Sequence, residues 1–394
     1  MANVNTFNLH LAGALIIALS AVLCARETTA QEIVNMQGSD SSNISAEVLE
    51  TFNSPWAMAF LPDGHSLVSE KTGTLWLVDK KGKKRFAVDN VPKTVARGQG
   101  GLGDIIVHPD FANNGMVFIS FVERDPKDDS LSGAAVESAK LTISNSSARL
   151  SDRNIIWRQA PKMTGNGHYG HRLAVSPDGY LFITSGERQK FTPAQNMAMN
   201  LGKIIRINQD GSVPTSNPFY GNGDISNQVW TLGHRNPLGI DFDSKGNLWV
   251  HEMGPRDGDE LNLIERARNY GYPIVSQGDH YSGVKIPNHE DIPTYNSPTA
   301  AWVPAISPAG FIIYKGNKYN EWTGNGFIGG LSSKALIRVV FSEHDKRPQL
   351  RAEEAARYEW GSRVREVEQN GAGEIFVLED GETGRLLKLL THST

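Results

Sequence analysis

Cysteine is almost missing from this chain. Cys24 is the single one in 394 residues, and it sits in the one long apolar run, LAGALIIALSAVLCA from Leu11 to Ala25. That run is shorter than the ~20 residues of a membrane-spanning helix. It suits the core of a secretory signal, with ThrThrAla just before Gln31 as the small-residue site, so cleavage after Ala30 is expected. The organisation expected is a signal peptide over 1–30 and one domain over 31–394, in a periplasmic or secreted protein. The opening segment MANVNTFNLH lacks Lys and Arg, which leaves an uncleaved anchor as the alternative. Leu23 before Cys24 speaks against a lipoprotein signal. Without Cys24 the mature chain has neither disulfides nor thiol chemistry, and the absence of CxxCH excludes covalent c-type haem. An excess of positive charge is missing too: Lys+Arg 39 against Asp+Glu 43 gives a net charge of −4. No basic field exists to hold a polyanion, so nucleic acid is excluded as a partner. No stable membrane association is expected once the leader is removed.

Helical signal is scarce as well, the one short stretch that reads as helix being LRAEEAARY, Leu350 to Tyr358. What is abundant is turn-forming residues, 39 Gly and 19 Pro, in a chain that is 39% hydrophobic and only 21% charged. That composition is globular and points to an all-β fold. A turn followed by a β-rich run recurs: LPDGHSLVSEKTGTLWLVD from Leu61, SPDGYLFITSGE from Ser176, DSKGNLWVHEM from Asp243 and NGAGEIFVLED from Asn370. Each is a hairpin signature, a Gly able to take positive φ and then β-branched and aromatic residues. The turn glycines Gly64, Gly179, Gly246 and Gly373 are spaced by one or two multiples of a period near 60, which predicts six similar units. Six four-stranded units arranged radially make a six-bladed β-propeller, with loops lining the mouth of a central channel. A pair of β-sandwiches is the alternative, but no Pro/Ser-rich linker breaks the chain after Gln31.

Three segments carry candidate chemistry. GNGHYGHRLAVSPDG puts His168, His171 and Arg172 on a Gly-rich loop before a strand, where an imidazole can take a proton from a hydroxyl. A surface or capping role is the ordinary alternative for such a His. WTLGHRNPLGIDFD supplies Arg235 and Asn236, a guanidinium fork and an amide suited to an anionic or quinonoid oxygen. Downstream, Glu252, Asp257, Asp259 and Glu260 with the turn carbonyls of Gly254 and Pro255 form an oxygen-rich stretch of the kind Ca²⁺ prefers, or else a solvated acidic turn. In SRVREVEQN, Arg363 and Arg365 alternate onto one face and suit a polycarboxylate ligand. Pairing with Glu366 and Glu368 is the plain alternative.

Seven motifs occur in order: GQGGLGDIIVHPDF from Gly98, GHYGHRL from Gly167, LGHRNPLGIDFD from Leu232, GPRDGDELNLI from Gly254, NYGYP from Asn269, SPAGFIIYKG from Ser307 and SRVREV from Ser362. Together they resemble the soluble aldose sugar dehydrogenases that depend on pyrroloquinoline quinone (PQQ), relatives of soluble glucose dehydrogenase, over roughly Glu47 to Leu390. The resemblance implies a six-bladed propeller with PQQ and Ca²⁺ as cofactors. It implies an aldose substrate oxidised at C1 to a lactone, hydride passing to quinone C5, and an external electron acceptor. His168 resembles the family's base and Gln99 its quinone-contacting Gln. Arg235 and Asn236 match the pair beside the quinone, and Arg363 and Arg365 the pair near the cofactor carboxylates. The carbonyls of Gly254 and Pro255 match those on the cofactor's Ca²⁺, Glu260 and Tyr270 match ligands of a second Ca²⁺, and Tyr281 matches a Tyr that reaches the cofactor in the aldose branch.

The chain departs from the pattern at three places. His171 stands where the glucose-dehydrogenase pattern has Gly, Ala305 stands where a Thr contacts the cofactor, and the cofactor Lys aligns with Ser332 or, after a shift, Lys334. A Ca²⁺-dependent propeller lactonase and a non-catalytic glycan- or protein-binding propeller are the alternatives. Monomer and homodimer are both open.

Overall fold

The four Gly-centred turns all close hairpins. Gly64, Gly179, Gly246 and Gly373 have φ of +90, +89, +84 and +76°, a region that costs little only for Gly. Each N–H returns to the carbonyl of Leu61, Ser176, Asp243 or Asn370. The strands around these turns pair antiparallel: Pro55–Phe60 with Ser66–Glu70, Gly170–Val175 with Leu181–Ser185, Pro237–Phe242 with Leu248–Glu252, and Val364–Gln369 with Ile375–Glu379. Two more hairpins lack that turn. Leu102–Val107 reaches Met116–Arg124 through the one-turn helix Phe111–Asn114, and Pro308–Ile313 reaches Gly326–Gly330 through a longer loop. They occupy the two long gaps in the turn spacing, where a different connection hides the repeat.

This computed structural model describes residues 1–2, 32–343 and 350–390. The expected leader from residue 3 on, with Cys24 and the Ala30 cleavage site, lies outside the described residues. The fold is all-β: 25 strands, with one four-residue α-helix and three 3-10 turns among the described residues. Also among them, no helix is long and apolar enough to cross a membrane. The helix expected over Leu350 to Tyr358 is instead the strand Leu350–Glu359, paired antiparallel with Ala335–Glu343. Ala, Glu and Arg favour helix locally, but pairing with an apolar neighbour overrides that preference and buries Ala352, Ala356 and Tyr358.

The strands form five sheets, of five, eight, four, four and four strands. The eight-stranded sheet joins two hairpin units where Ala148 and Arg149 run parallel to Val88 and Asp89. The five-stranded sheet sets Asn43–Phe52, near the start of the described chain, against Gly384–Leu389 near its end. The first strands of the six hairpins, Pro55–Phe60, Leu102–Val107, Gly170–Val175, Pro237–Phe242, Pro308–Ile313 and Val364–Gln369, each touch the next, and the last touches the first. Apolar side chains pack between successive sheets, as in the cluster of Phe182, Ile204, Ile240, Phe242 and Val250. For that reason second strands such as LFITS and LWVHE are buried along their whole length, with both faces against a neighbouring layer.

The centre of the circuit is polar. Arg172 is buried there and its Nη1 meets Glu366 and, at 3.3 Å, Asp104. Its Nε donates to the Leu238 carbonyl at 2.9 Å, and its guanidinium lies 4.1 Å from the centroid of Trp56. These partners come from four different first strands besides Arg172's own, and the sixth adapts to them: a Cβ on Gly310 would overlap the Glu366 side chain. Burial pushes Glu366 up to about 7 against the pull of Arg172. Removing one member of a buried ion cluster strands the others without solvent or partner. Arg172→Met is therefore expected to cost about 3–5 kcal/mol of unfolding free energy, read as a lowered urea midpoint. A loss below ~1 kcal/mol contradicts the assignment.

Candidate functional site

The loops that enter the first strands converge at one end of the circuit, opposite the Gly-centred turns. They enclose a cavity of about 480 Å³, lined by Trp56, Gln99, His171, Asn236, Ser307 and Arg363 among others. That volume is in the range of small-molecule and cofactor pockets.

His168 stands beside this cavity and is buried, with a left-handed backbone, φ +49°. Its N–H donates to Gln99 Oε1 at 2.6 Å, and its Nδ1 meets Glu187 Oε1 at 2.5 Å. Nε2 has no partner among the described residues, so the carboxylate fixes the tautomer that leaves Nε2 as an open acceptor. Burial lowers the His168 pKa from its ordinary value, against the raising effect of Glu187, so the ring is neutral near pH 7. Burial pushes Glu187 up, but hydrogen bonds from His168 and from the N–H groups of Phe191 and Lys190 outweigh it and hold the carboxyl below its usual range. Arg188 secures the loop: its guanidinium donates to the carbonyls of Gly167, Ser132 and Gly165 at 3.0, 2.6 and 2.6 Å and covers Tyr169.

Asn236 comes next on the wall, with Arg235 beside it in the chain. The Arg235 N–H binds Glu252 and its Nη1 donates to the Met253 carbonyl at 2.9 Å. Its Nε, and both amide atoms of Asn236, are buried without a partner. Unpaired buried polar atoms are costly and call for an occupant that satisfies them. Across the cavity Lys71, Arg363 and Arg365 supply positive charge. Both arginines are held by Asp380, at 2.8 Å from Arg363 Nε and 2.8 Å from Arg365 Nη2. The partners considered for them from sequence, Glu366 and Glu368, point elsewhere, Glu366 going to Arg172.

Behind Arg235 is a buried acidic layer. Glu252 and Glu260 face each other across paired strands, and Asn262 Nδ2 reaches both, at 3.4 and 3.3 Å, leaving its Oδ1 unpartnered. Burial, then the neighbouring Glu252, pushes the Glu260 carboxyl well above the usual carboxylate range. The carbonyls of Gly254 and Pro255 accept no hydrogen bond among the described residues. Among those residues no group of three or more His, Cys, Asp and Glu side chains is arranged to hold a metal ion, so carbonyl and amide oxygens must complete any such site.

The sequence profile of the Glucose / Sorbosone dehydrogenase family matches residues 52–388. The chain belongs to this family. It is 34% identical to the aldose sugar dehydrogenase YliI of Escherichia coli K12 over 353 residues, 88% of this chain and 93% of that protein. It is 30% identical to quinoprotein glucose dehydrogenase B of Acinetobacter calcoaceticus over 76% of this chain and 66% of that one. The apo crystal structure of the soluble Escherichia coli aldose sugar dehydrogenase superposes with a TM-score of 0.82 at 33% identity, covering 89% of this chain and 100% of that one. The PQQ-bound aldose sugar dehydrogenase of Streptomyces coelicolor gives 0.69 at 27% identity, covering 91% and 98%.

Within this glucose/sorbosone dehydrogenase fold, Gln99, Asn236, Arg363 and Arg365 share the cavity wall, and His168 and Arg235 flank it. Ser332 and Lys334 do not line it. Both are exposed, and the lysine on the wall is Lys71. Tyr281 is 74% exposed, its ring 5.9 Å from the Arg235 guanidinium. The Tyr270 hydroxyl is committed to the Leu263 carbonyl and the Glu265 N–H, which leaves its carbonyl, already bonded by His289, as the remaining oxygen. Ala305 donates its N–H to Asp257 at 3.0 Å. Glu187, Arg188, Trp56, Lys71 and Asp380 were not singled out from the sequence. The run SGERQK does hold an acid and a base directly after a strand, but nothing local ties them to His168. His168 is expected to titrate below 6.5, and lower still in Glu187→Gln, which removes the interaction that raises it. Imidazole NMR against pH measures both, and a wild-type value above 6.5 sinks the assignment.

Proposed function

We propose that this protein is an exported aldose dehydrogenase that oxidises the C1 hydroxyl of sugars to lactones with PQQ and Ca²⁺ as cofactors. The observation that carries the reading is the His168–Glu187 pair beside a cavity with a cationic wall and orphaned polar atoms. We read the eight-stranded sheet as two blades, making the fold a six-bladed propeller. Localisation in the periplasm or outside the cell, and reduction of an external electron acceptor, belong to the same reading.

The residues suit the cofactors. PQQ is a flat tricarboxylate with two adjacent carbonyls; Lys71, Arg363 and Arg365 match its carboxylates, and Arg235 Nε with the Asn236 amide offers hydrogen bonds for its ring oxygens. Ca²⁺ suits the Gly254 and Pro255 carbonyls, which accept no hydrogen bond among the described residues and follow Met253 of the cavity wall in the chain. Behind them, Glu252, Glu260 and the Asn262 Oδ1 offer hard oxygen ligands whose mutual repulsion a divalent cation relieves.

When bound, PQQ supplies a two-electron acceptor for hydride and Ca²⁺ a Lewis acid. The protein's own part is the proton and the electrostatics. His168 Nε2 takes the proton of the sugar's C1 hydroxyl, and Glu187 across the ring steadies the imidazolium that results. Arg235, fixed by Glu252 and Met253, keeps a positive charge aimed at the cavity without reorganising. Because the His168 pKa is lowered, the base is already neutral at pH 7, so kcat/KM should fall only on the acid side, below pH 6.5. Glu187→Gln, whose amide favours the wrong tautomer, should lower kcat roughly 10²–10⁴-fold.

The deciding experiment is reconstitution of apo-protein with PQQ and Ca²⁺, a dye acceptor and a panel of aldoses. Dye reduction by an aldose, lost in His168→Ala while PQQ binding persists, is the expected result. Lactone hydrolysis without PQQ, or normal turnover of His168→Ala, overturns it. A chelator should lower the thermal midpoint of the wild type by several degrees. Glu260→Gln should make that midpoint insensitive to Ca²⁺, and an unchanged Ca²⁺ response in the variant removes Glu260 from the site.

A further inference from the structure

His171 lines the cavity yet has no part in the chemistry assigned to His168. Its backbone is left-handed, φ +63°, a conformation natural to Gly and uncommon for other residues. The chain nevertheless places an imidazole there and makes room for it. A Cβ built on Gly103 would overlap the His171 ring and lie 2.9 Å from Ser120 Oγ, so no other residue fits at 103 while the ring is in place. The ring stacks on Trp56, centroids 4.9 Å apart at 13°, and meets the edge of Tyr169.

Its Nδ1 faces the Ser120 hydroxyl. Ser120 Oγ accepts the Asp104 N–H at 2.8 Å and lies 2.7 Å from His171 Nδ1 but 3.5 Å from the Asp104 carbonyl. With the hydroxyl proton given to Nδ1, the nearer of its two acceptors, the ring's own proton sits on Nε2. Nε2 has no partner among the described residues. Burial, reinforced by Arg172, pushes the imidazole down to about 3, so it stays a neutral donor throughout the working range.

We propose that His171 is a cofactor-binding residue whose Nε2–H donates into the cavity to an acceptor oxygen of the bound quinone, with Gly103 as the clearance its ring requires. The inference rests on the PQQ reading of this cavity. It makes the two positions a matched pair: the ring is useful only if 103 has no side chain.

Titration of apo-protein with PQQ in excess Ca²⁺ tests it without turnover, reading the affinity, the absorbance of the bound quinone and the thermal midpoint of the apo-protein. His171→Phe keeps a ring on Trp56 but has no donor, and His171→Gly removes the ring. Each should weaken PQQ binding roughly tenfold and shift the absorbance maximum at saturation. His171→Gln, which restores a donor, should recover part of the affinity. Gly103→Ala should lower the apo midpoint, and adding His171→Gly should restore part of it, since the contact with Ser120 Oγ remains. Wild-type affinity and spectrum in both His171→Phe and His171→Gly overturn the role of His171. Failure of the wild-type protein to take up PQQ overturns the functional reading itself.

Discussion

A single guanidinium holds the middle of this molecule. Arg172 is bonded to Glu366, Asp104 and the Leu238 carbonyl and lies over Trp56, so strands far apart in sequence share one buried charge. Such a cluster is a weak source of net stability, because desolvation offsets most of the Coulomb attraction. Its effect is on geometry: carboxylates that lose solvent must find this partner, and only one mutual placement of the inner strands provides it. The apolar clusters between sheets are non-directional and would tolerate small rotations; the hub does not.

The cavity inherits that rigidity. His171 and Trp56 rest directly on the hub, and the His168 loop is tied from behind by Arg188 through three carbonyls. Glu187 fixes the imidazole and Glu252 fixes the Arg235 backbone, so each group aimed at the cavity is oriented by a second one that is itself buried. Arrangement of this kind lowers the reorganisation needed when charge develops. Arg235 Nε and the Asn236 amide are left without partners, and Asn236 lines the cavity.

Much of the fold was legible in the sequence because its repeat is made by local chemistry. Gly64, Gly179, Gly246 and Gly373 are needed at positive φ whatever surrounds them, and the strands beside them carry continuous apolar runs. The two hairpins without that turn were visible only as doubled intervals. The stretch LRAEEAARY was misread because its residues favour helix, while its pairing with Ala335–Glu343 is decided fifteen residues away. At the site, His168, Gln99, Arg235 and Asn236 were readable from motifs. Glu187 was not, since an acid nineteen positions from His168 becomes its partner only when two strands of one sheet set them side by side. The presence of Lys71 on the cavity wall, and Asp380 as the partner of Arg363 and Arg365, are of the same kind.

What the sequence by itself determined is the class of structure and the inventory of reactive groups: strands, turns, a small net charge of −4, a single cysteine, and a histidine with an Arg–Asn pair on Gly-rich loops. Turn conformation and strand patterning depend on neighbours a few residues away, so they can be read along the chain. Which groups meet was decided by the tertiary structure alone. Burial removes water as a partner, and each buried charge or polar atom must then be matched by whatever the closed circuit of strands brings within reach. For His168 that is Glu187, for Arg172 it is Glu366, and for the ring of His171 it is the empty space at Gly103.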